Sequence, residues 1–163
     1  MLLQGLQPSM QVVSHALQPV PEILRGLFED ADDCLLLERL HFVDDEPIAL
    51  GRSHLPAELA SVAWAEVEHQ PIYSILESIT GLAVTRADLA IRAQEADKGL
   101  ASALQVKRGA ALLVMERTSY FCRRTLLRPH DVFFIRPERY AFILSGVFQI
   151  HVGQLISTDY AST

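Results

Sequence analysis

Two apolar runs of strand length, residues 34–43 and 47–55, flank the acidic triplet Asp44-Asp45-Glu46. This arrangement constrains the fold more than any other feature of the chain. Apolar runs joined by a short charged turn read as a β-hairpin. Its remaining partners lie along the sequence. Residues 11–17 predict a short strand, 84–93 an alternating one, and 111–122 a long one. Arg123-Arg124 then forms a turn before a further strand over 126–135, and 140–148 adds one more. Helices fall between them. Residues 22–28 place Ile23, Leu24 and Leu27 on one side, behind Pro21. Pro56 opens a helical stretch reaching Val67. Residues 72–80 align Ile72, Ile75, Leu76 and Ile79, with Gly81 at the left-handed position that ends a helix. Asp97 can N-cap a helix running to Leu104, with Leu100, Ala103 and Leu104 inward, and Lys107-Arg108-Gly109 is a turn. The strands outnumber the helices and arrive largely as hairpins. This predicts an α+β fold, a mostly antiparallel sheet with helices on one face. No glycine-rich phosphate loop follows a strand, so a doubly wound sheet is not expected.

The length of 163 residues suits one domain. The expected boundaries are a leader over 1–10, a single domain over 11–158 and a tail over 159–163, without a DNA-binding domain. With 14 basic and 20 acidic residues the formal charge is -6, a poor match to nucleic acid phosphates by itself. Cys34 and Cys122 make no disulfide framework and suit a reducing compartment. The first 21 residues carry no charged side chain and no basic n-region, unlike a signal peptide. Residues 142–158 are uncharged too, but Gln149, His151, Gln154 and two glycines interrupt them. A cytoplasmic protein with no membrane contact is expected.

Chemistry-bearing residues exclude several classes. The histidines at 15, 41, 54, 69, 130 and 151 show no ligand spacing, so no metal or cofactor is expected. The acidic run 29–33 lacks the glycine and distal glutamate of a calcium loop. Ser145-Gly146 is not a nucleophile elbow. Glu38 and Glu116 lie mid-strand, with Arg39 and Arg117 as adjacent charge partners. Arg39 and His41 stand two apart on one strand, so they share a sheet face. Arg117 is mid-strand, and Arg136, Arg139 and Tyr140 cluster near a turn. Such cations either converge on a small anion, for which arginine offers a planar fork, or line the wet side of an antiparallel sheet.

The order of these pieces resembles the UTRA effector-binding domain of the HutC-type branch of GntR bacterial transcription regulators. The first block runs from Leu37-Glu38-Arg39-Leu40-His41 through Asp44-Asp45-Glu46 to Pro47-Ile48-Ala49-Leu50, similar to an R-x-R strand, an acidic turn and an apolar return. His54-Leu55-Pro56 resembles the end of that hairpin. Pro71-Ile72-Tyr73-Ser74-Ile75-Leu76-Glu77, closed by Thr80-Gly81, resembles the family's S-L-Y helix. Ala96 to Gly109, Leu112 to Arg117, and Arg136-Pro137-Glu138-Arg139-Tyr140-Ala141-Phe142 follow in the family's order. The resemblance implies a chorismate-lyase-like fold. It also implies a small-molecule effector controlling a separate N-terminal winged helix, the only route to DNA, and a homodimer.

On that resemblance the ligand residues are Arg39, His41, Ser53, Arg117, Tyr140 and Ser14. Arg39 keeps the first arginine of R-x-R, and His41 replaces the second. Gly51 stands where the family often has a sugar-binding glutamate, and Pro71 where it has a serine. These departures imply an effector other than a sugar phosphate: a carboxylate, phosphonate or phosphate-bearing metabolite. His41 is expected to make anion binding pH-sensitive between pH 5.5 and 8, since free imidazole titrates near ~6.5. The hairpin register decides whether Gly51 and Ser53 or Arg52 and His54 share the face of Arg39, and the family position favours the first pair. Three functions are expected in this order: a sensor domain, a chorismate-lyase-like enzyme, and a ligand-free dimerisation module. The enzyme would need a glutamate facing the cations. For the homodimer, an apolar strand such as 126–135 could supply the pairing edge, and the sequence alone does not say which edge is exposed.

Overall fold

A computed structural model of the chain describes residues 8–28, 31–121 and 129–138. Six strands form one sheet: β1 (Pro8–Pro19), β2 (Asp33–Val43), β3 (Glu46–Pro56), β4 (Val84–Glu95), β5 (Ala111–Phe121) and β6 (His130–Ile135). The order across the sheet is β1-β2-β3-β6-β5-β4, and every neighbouring pair is antiparallel. Two three-stranded units thus meet where β3 pairs with β6. Three α-helices follow the chain: α1 (Trp64–Val67), α2 (Ile72–Thr80) and α3 (Lys98–Leu104).

The predicted hairpin is β2–β3. Asp44 and Asp45 both take positive φ, 49° and 63°, as a two-residue turn between twisted strands demands. Aspartate tolerates that region because its short side chain can hydrogen-bond locally. α2 has the predicted bounds, and Gly81 ends it at φ 69°, with its N–H donating to the Glu77 carbonyl. α3 begins at its predicted cap, where the Asp97 carboxylate accepts from the Leu100 N–H at 2.8 Å.

Several elements differ from expectation. β1 starts at Pro8, three residues before the predicted Gln11. Residues Glu22–Leu27 form a 3-10 helix, in which Leu24 and Leu27 are buried while Ile23 is 54% exposed. Three residues per turn stack Leu24 over Leu27 and rotate Ile23 outward. The helix expected from Pro56 to Val67 is broken. A 3-10 turn, Ala57–Ser61, gives way at an extended Val62 before α1. Leu59 and Trp64 are both buried, yet five positions apart on one α-helix they would diverge by roughly 140°, so the break lets both turn inward.

The strand expected over 126–135 as a free edge is described from His130 and lies at the sheet centre, bonded to β3 and β5. That expectation is corrected: among the described residues the edges are β1 and β4. A mostly apolar strand suits the position with two neighbours and two covered faces. The expected strand over 140–148, and Cys122, lie outside the described residues.

The main core joins Leu35, Leu37 and Leu55 of the hairpin, Val114, Val132 and Phe134 of the centre, Trp64, Ile75 and Leu76 of α1 and α2, and Leu100 and Leu104 of α3. A smaller cluster gathers Val43, Ile48, Ala49 and Ile135 at the hairpin end. Arg136, expected in a cationic cluster, instead fastens this end. It donates to the carbonyls of Pro47 (3.1 Å) and Leu104 (3.3 Å) and pairs with Glu46 and Glu138. No helix among the described residues is long and apolar enough to cross a membrane.

Removing the α3 cap, Asp97→Ala, leaves the Leu100 N–H without its acceptor and is expected to cost ~1 kcal/mol, read as a lower urea midpoint with unchanged slope. An unchanged midpoint would mean that the cap contributes nothing.

Candidate functional site

Strand register assigns each side chain to a face. On one face three rows cross β2, β3, β6 and β5: His41–Ala49–Ile135–Leu113, Arg39–Gly51–Phe133–Met115, and Leu37–Ser53–Asp131–Arg117. Gly51 and Ser53 therefore share the face of Arg39 and His41, and Arg52 and His54 lie on the other.

The structure brings together four residues named from the sequence: Arg39, His41, Ser53 and Arg117. Ser14 is elsewhere. A bulge between Val12 and Ser14 turns it to the opposite face, where its hydroxyl donates to Glu38 at 3.1 Å. Tyr140 lies outside the described residues. Glu38 and Glu116 do have ion-pair partners, but not the arginines next to them in sequence. Glu38 pairs with Arg52 at 2.9 Å and Glu116 with Arg92 at 3.4 Å. Adjacent strand residues point to opposite faces, which leaves Arg39 and Arg117 to the site.

Asp131, Phe133 and Gly51 complete the arrangement. Arg117 donates from Nε (3.0 Å) and Nη2 (2.8 Å) to one oxygen of Asp131, Oδ2. Asp131 is 1% exposed, and its Oδ1 is buried without a hydrogen-bond partner among the described residues. Arg39 is 5% exposed, and its Nη1 donates to the Gln70 carbonyl, between α1 and α2, at 2.9 Å. Burial lowers the Arg39 pKa, Asp131 opposes this, and the like charge of Arg117 reinforces it. The three charges therefore act on one another and sum to one positive. Gly51 permits close packing here: a Cβ at that position would lie 3.2 Å from Phe133 Cε1 and 3.5 Å from His41 Nε2. Phe133 covers Gly51, edge-on to His41 and beneath the Arg117 guanidinium. A groove of about 420 Å³ lies alongside, lined by Met10, Val12, Phe42, Glu68 and neighbours. Met10 and Val12 pair with His41 and Arg39.

His41 does not behave as the sequence suggested. Burial, reinforced by Arg39, pushes its pKa down to about 4. The imidazole is neutral from pH 5.5 to 8, so its own charge gives no pH response in that range. On the opposite face His54 pairs across to His130, and burial lowers both to about 4. No group of three or more potential metal ligands occurs among the described residues.

The sequence signal for Asp131 was its period. Asp131, Phe133 and Ile135 alternate on one face, and a lone acid in an apolar strand needs a partner. Treating that strand as an edge hid this. Gly51 was noticed only as a missing glutamate, not as the position over which Phe133 packs.

The sequence profile of the UTRA domain matches residues 3–140. The HTH-type transcriptional regulator Rv0792c of Mycobacterium tuberculosis is 30% identical over 145 residues, covering 85% of this chain and 52% of that protein. The HTH-type transcriptional repressor NagR of Bacillus subtilis is 25% identical over 142 residues, covering 86% and 58%. The chain thus spans about half the length of the curated relatives it matches. Among solved structures, a GntR-family transcriptional regulator from Enterococcus faecalis superposes with a TM-score of 0.73 at 26% identity, covering 85% of this chain and 100% of that one. The effector domain of PhnF from Mycobacterium smegmatis gives 0.74 at 23% identity, covering 90% of each chain.

Two stability predictions follow from the geometry. Three imidazoles held near 4 stay neutral in the folded chain, while the unfolded chain takes up protons below ~6.5. Stability therefore falls as pH drops from 7.5 to 5.5, by up to ~1.4 kcal/mol per imidazole. Urea midpoints across that range check this, and a midpoint that does not move contradicts it. Separately, Gly51→Leu would force a side chain into the close contact with Phe133 and is expected to cost ~1–3 kcal/mol. A wild-type midpoint for that variant would show that Phe133 yields without cost.

Proposed function

This chain belongs to the UTRA domain family, and on that footing we propose that it senses a small anionic metabolite for a transcription regulator. Its relatives are transcriptional regulators, and the effector role is that of a binding domain rather than an enzyme. The finer reading is a HutC-type regulator in which a carboxylate, phosphonate or phosphate group meets Arg39. A separate winged-helix domain answers by changing its hold on DNA. The protein is cytoplasmic, uses no cofactor and acts as a homodimer, with β1 and β4, the edge strands among the described residues, as the candidate pairing surfaces. Exposed Leu17 and Ile91 lie on those edges.

One observation carries this reading: a buried guanidinium that has a single backbone carbonyl as its hydrogen-bond acceptor among the described residues. Burying a cation is costly unless something anionic compensates it, and an incoming oxyanion would do so by charge-assisted hydrogen bonds. Ser53 offers a hydroxyl, Arg117 a second cation, and Tyr140, by the family likeness, a further hydroxyl. Because Arg39 also holds the Gln70 carbonyl, an anion that re-aims its guanidinium changes how the α1–α2 connection sits on the sheet. That gives binding a way to bias one of two arrangements, for which a coupling of ~1–3 kcal/mol suffices.

The lyase reading gains one supporting feature, since Asp131 is an acid facing the cations. It is an aspartate, however, with one oxygen held twice by Arg117, and the relatives point to regulation.

The test is a thermal-shift screen of carboxylates, phosphonates, amino acids, sugar phosphates and chorismate against the wild type and Arg39→Ala. A ligand that raises the wild-type Tm without being consumed should lose at least ~10-fold in affinity in the variant, as for a charged hydrogen bond worth ~1.5–3 kcal/mol. Equal affinity in Arg39→Ala would remove the anion assignment, and consumption of chorismate would make the chain an enzyme.

A further inference from the structure

The two edge strands of the sheet are not alike. β1 is guarded: Pro8 and Pro19 stand at its ends, and a bulge between Val12 and Ser14 interrupts it. Such devices keep an edge from pairing with another chain. β4 lacks them. From Arg86 to Glu95 it pairs with β5 without a register shift, and it contains no proline and no lysine. Ala96 continues the ladder, its N–H donating to the Ala110 carbonyl at 2.8 Å. In an antiparallel pair alternate residues bond to the partner strand. The even-numbered residues of β4 therefore bond toward β5, and the odd-numbered ones turn their N–H and C=O outward. Among the described residues β5 is the only strand paired with β4. Leu89 and Ile91 are 38% and 56% exposed, on the sheet face that carries Arg117 and Met115. A long apolar edge with backbone groups turned outward is a template for a further strand.

We propose that β4 is the homodimer junction, pairing antiparallel with β4 of a second copy about a two-fold axis through Ala90. The proposal rests on the homodimer reading above and narrows it from two edges to one register. The outward backbone groups belong to odd residues, so odd must face odd across the junction and the axis passes through a residue. Charge then selects which one. An axis at Leu89 sets Arg86 against Arg92 of the second copy, and an axis at Asp88 or Arg92 sets that charge against itself. An axis at Ile91 sets Ala90 against Arg92 and Asp88 against Gln94. The axis at Ala90 alone sets Asp88 against Arg92, twice, and Leu89 against Ile91, twice. Opposite charges and apolar side chains directly across strands stabilise a sheet, and like charges oppose it. Ala90 meets its own copy in a non-hydrogen-bonded pair, ~4.5 Å between Cα atoms, where a small side chain fits. Asp88 already accepts from Arg86 (3.1 Å) and Tyr120 (2.9 Å), and a carboxylate has acceptor sites for further donors. Leu89 is level with Arg117, so the face of Arg39 and Arg117 continues across the junction. Arg117 lies one strand from the second copy, which gives a bound anion a short route to the interface.

The experiment is analytical ultracentrifugation of the chain together with cysteine cross-linking. The wild type is expected to sediment as a dimer. Ala90→Cys is expected to oxidise to a covalent dimer, because the Cα separation across the axis falls in the disulfide range of ~4.4–6.8 Å. Ala87→Cys, which faces Ala93 rather than itself, is expected not to cross-link. The wild type under the same oxidant controls for Cys34 and Cys122. Leu89→Pro removes an outward N–H and leaves the bonds to β5 in place. Two hydrogen bonds are lost per dimer, so its dimer Kd is expected to rise at least ~10-fold. A dimer in which Ala90→Cys stays uncross-linked and Leu89→Pro associates like the wild type overturns the β4 junction and leaves the homodimer reading standing. Cross-linking of Ala87→Cys to itself overturns the register. A wild type that sediments as a monomer removes the homodimer reading, and the proposal falls with it. The two cysteine variants decide the question even if Leu89→Pro does not fold.

Discussion

The register of the β2–β3 hairpin governs everything described here. With Asp44 and Asp45 both at positive φ, the turn is two residues long, and Val43 pairs with Glu46. A bulge between His41 and Phe42 then sets Arg39 opposite Gly51 and Leu37 opposite Ser53. Shift the pairing by one residue and the other set comes round: Arg52 and His54 would share the face of Arg39, and Gly51 and Ser53 would turn away. The close packing of Phe133 over Gly51 would be lost, and with it the ion pair of Glu38 with Arg52. That pair fixes the register from the opposite face. The same strands thus carry two chemistries back to back, and each depends on the other being in place.

Both faces of this sheet contain buried charge, which is unusual for a domain of this size and calls for a reason on each. On the far side, Arg52 with Glu38 and Arg92 with Glu116 are pairs of opposite sign across strands, the arrangement that stabilises a sheet. Burial also raises the Glu116 pKa, against the pull of Arg92. On the near side the charges do not cancel, and one acceptor atom is left over. Buried ion pairs contribute little to stability after desolvation, so a surplus buried cation is poor structural material. It is the feature on which the proposed anion reading rests. The apolar rows on either side, Leu35, Leu37 and Leu55 toward one end and Ala49, Ile135 and Leu113 toward the other, supply the stability that the middle rows give up.

How much of this was legible depended on whether a signal was local. Turn chemistry and capping read directly: Asp44-Asp45, Gly81 and Asp97 each impose a backbone conformation through their own side chain or lack of one. Alternation read correctly for Arg39 and His41. What did not read was anything set by neighbours distant in sequence. The broken helix at Val62 follows from Leu59 and Trp64 both reaching the core. The centrality of β6 follows from pairing with β3, some 80 positions earlier. The face of Ser14 turned on one bulge. The state of His41 was misjudged for the same reason. Its pKa is set by burial and by Arg39 rather than by its identity, and burial is not written in a strand's own letters.

The position of the site within the sheet bears on how a ligand could be felt elsewhere. The four strands β2, β3, β6 and β5 share the Arg39–Gly51–Phe133–Met115 row, so that row runs through both three-stranded halves. Among the described residues the strands of those halves are hydrogen-bonded to each other where β3 pairs with β6. Arg39 belongs to one half, and Asp131 and Arg117 to the other. On the anion reading, a ligand held by both Arg39 and Arg117 would therefore tie the halves together, and a ligand held by Arg39 alone would not. The central position is glycine because Phe133 lies across it: a Cβ there would meet Phe133 Cε1 at 3.2 Å, so β3 and β6 leave no room for a side chain at 51 without a shift at their junction.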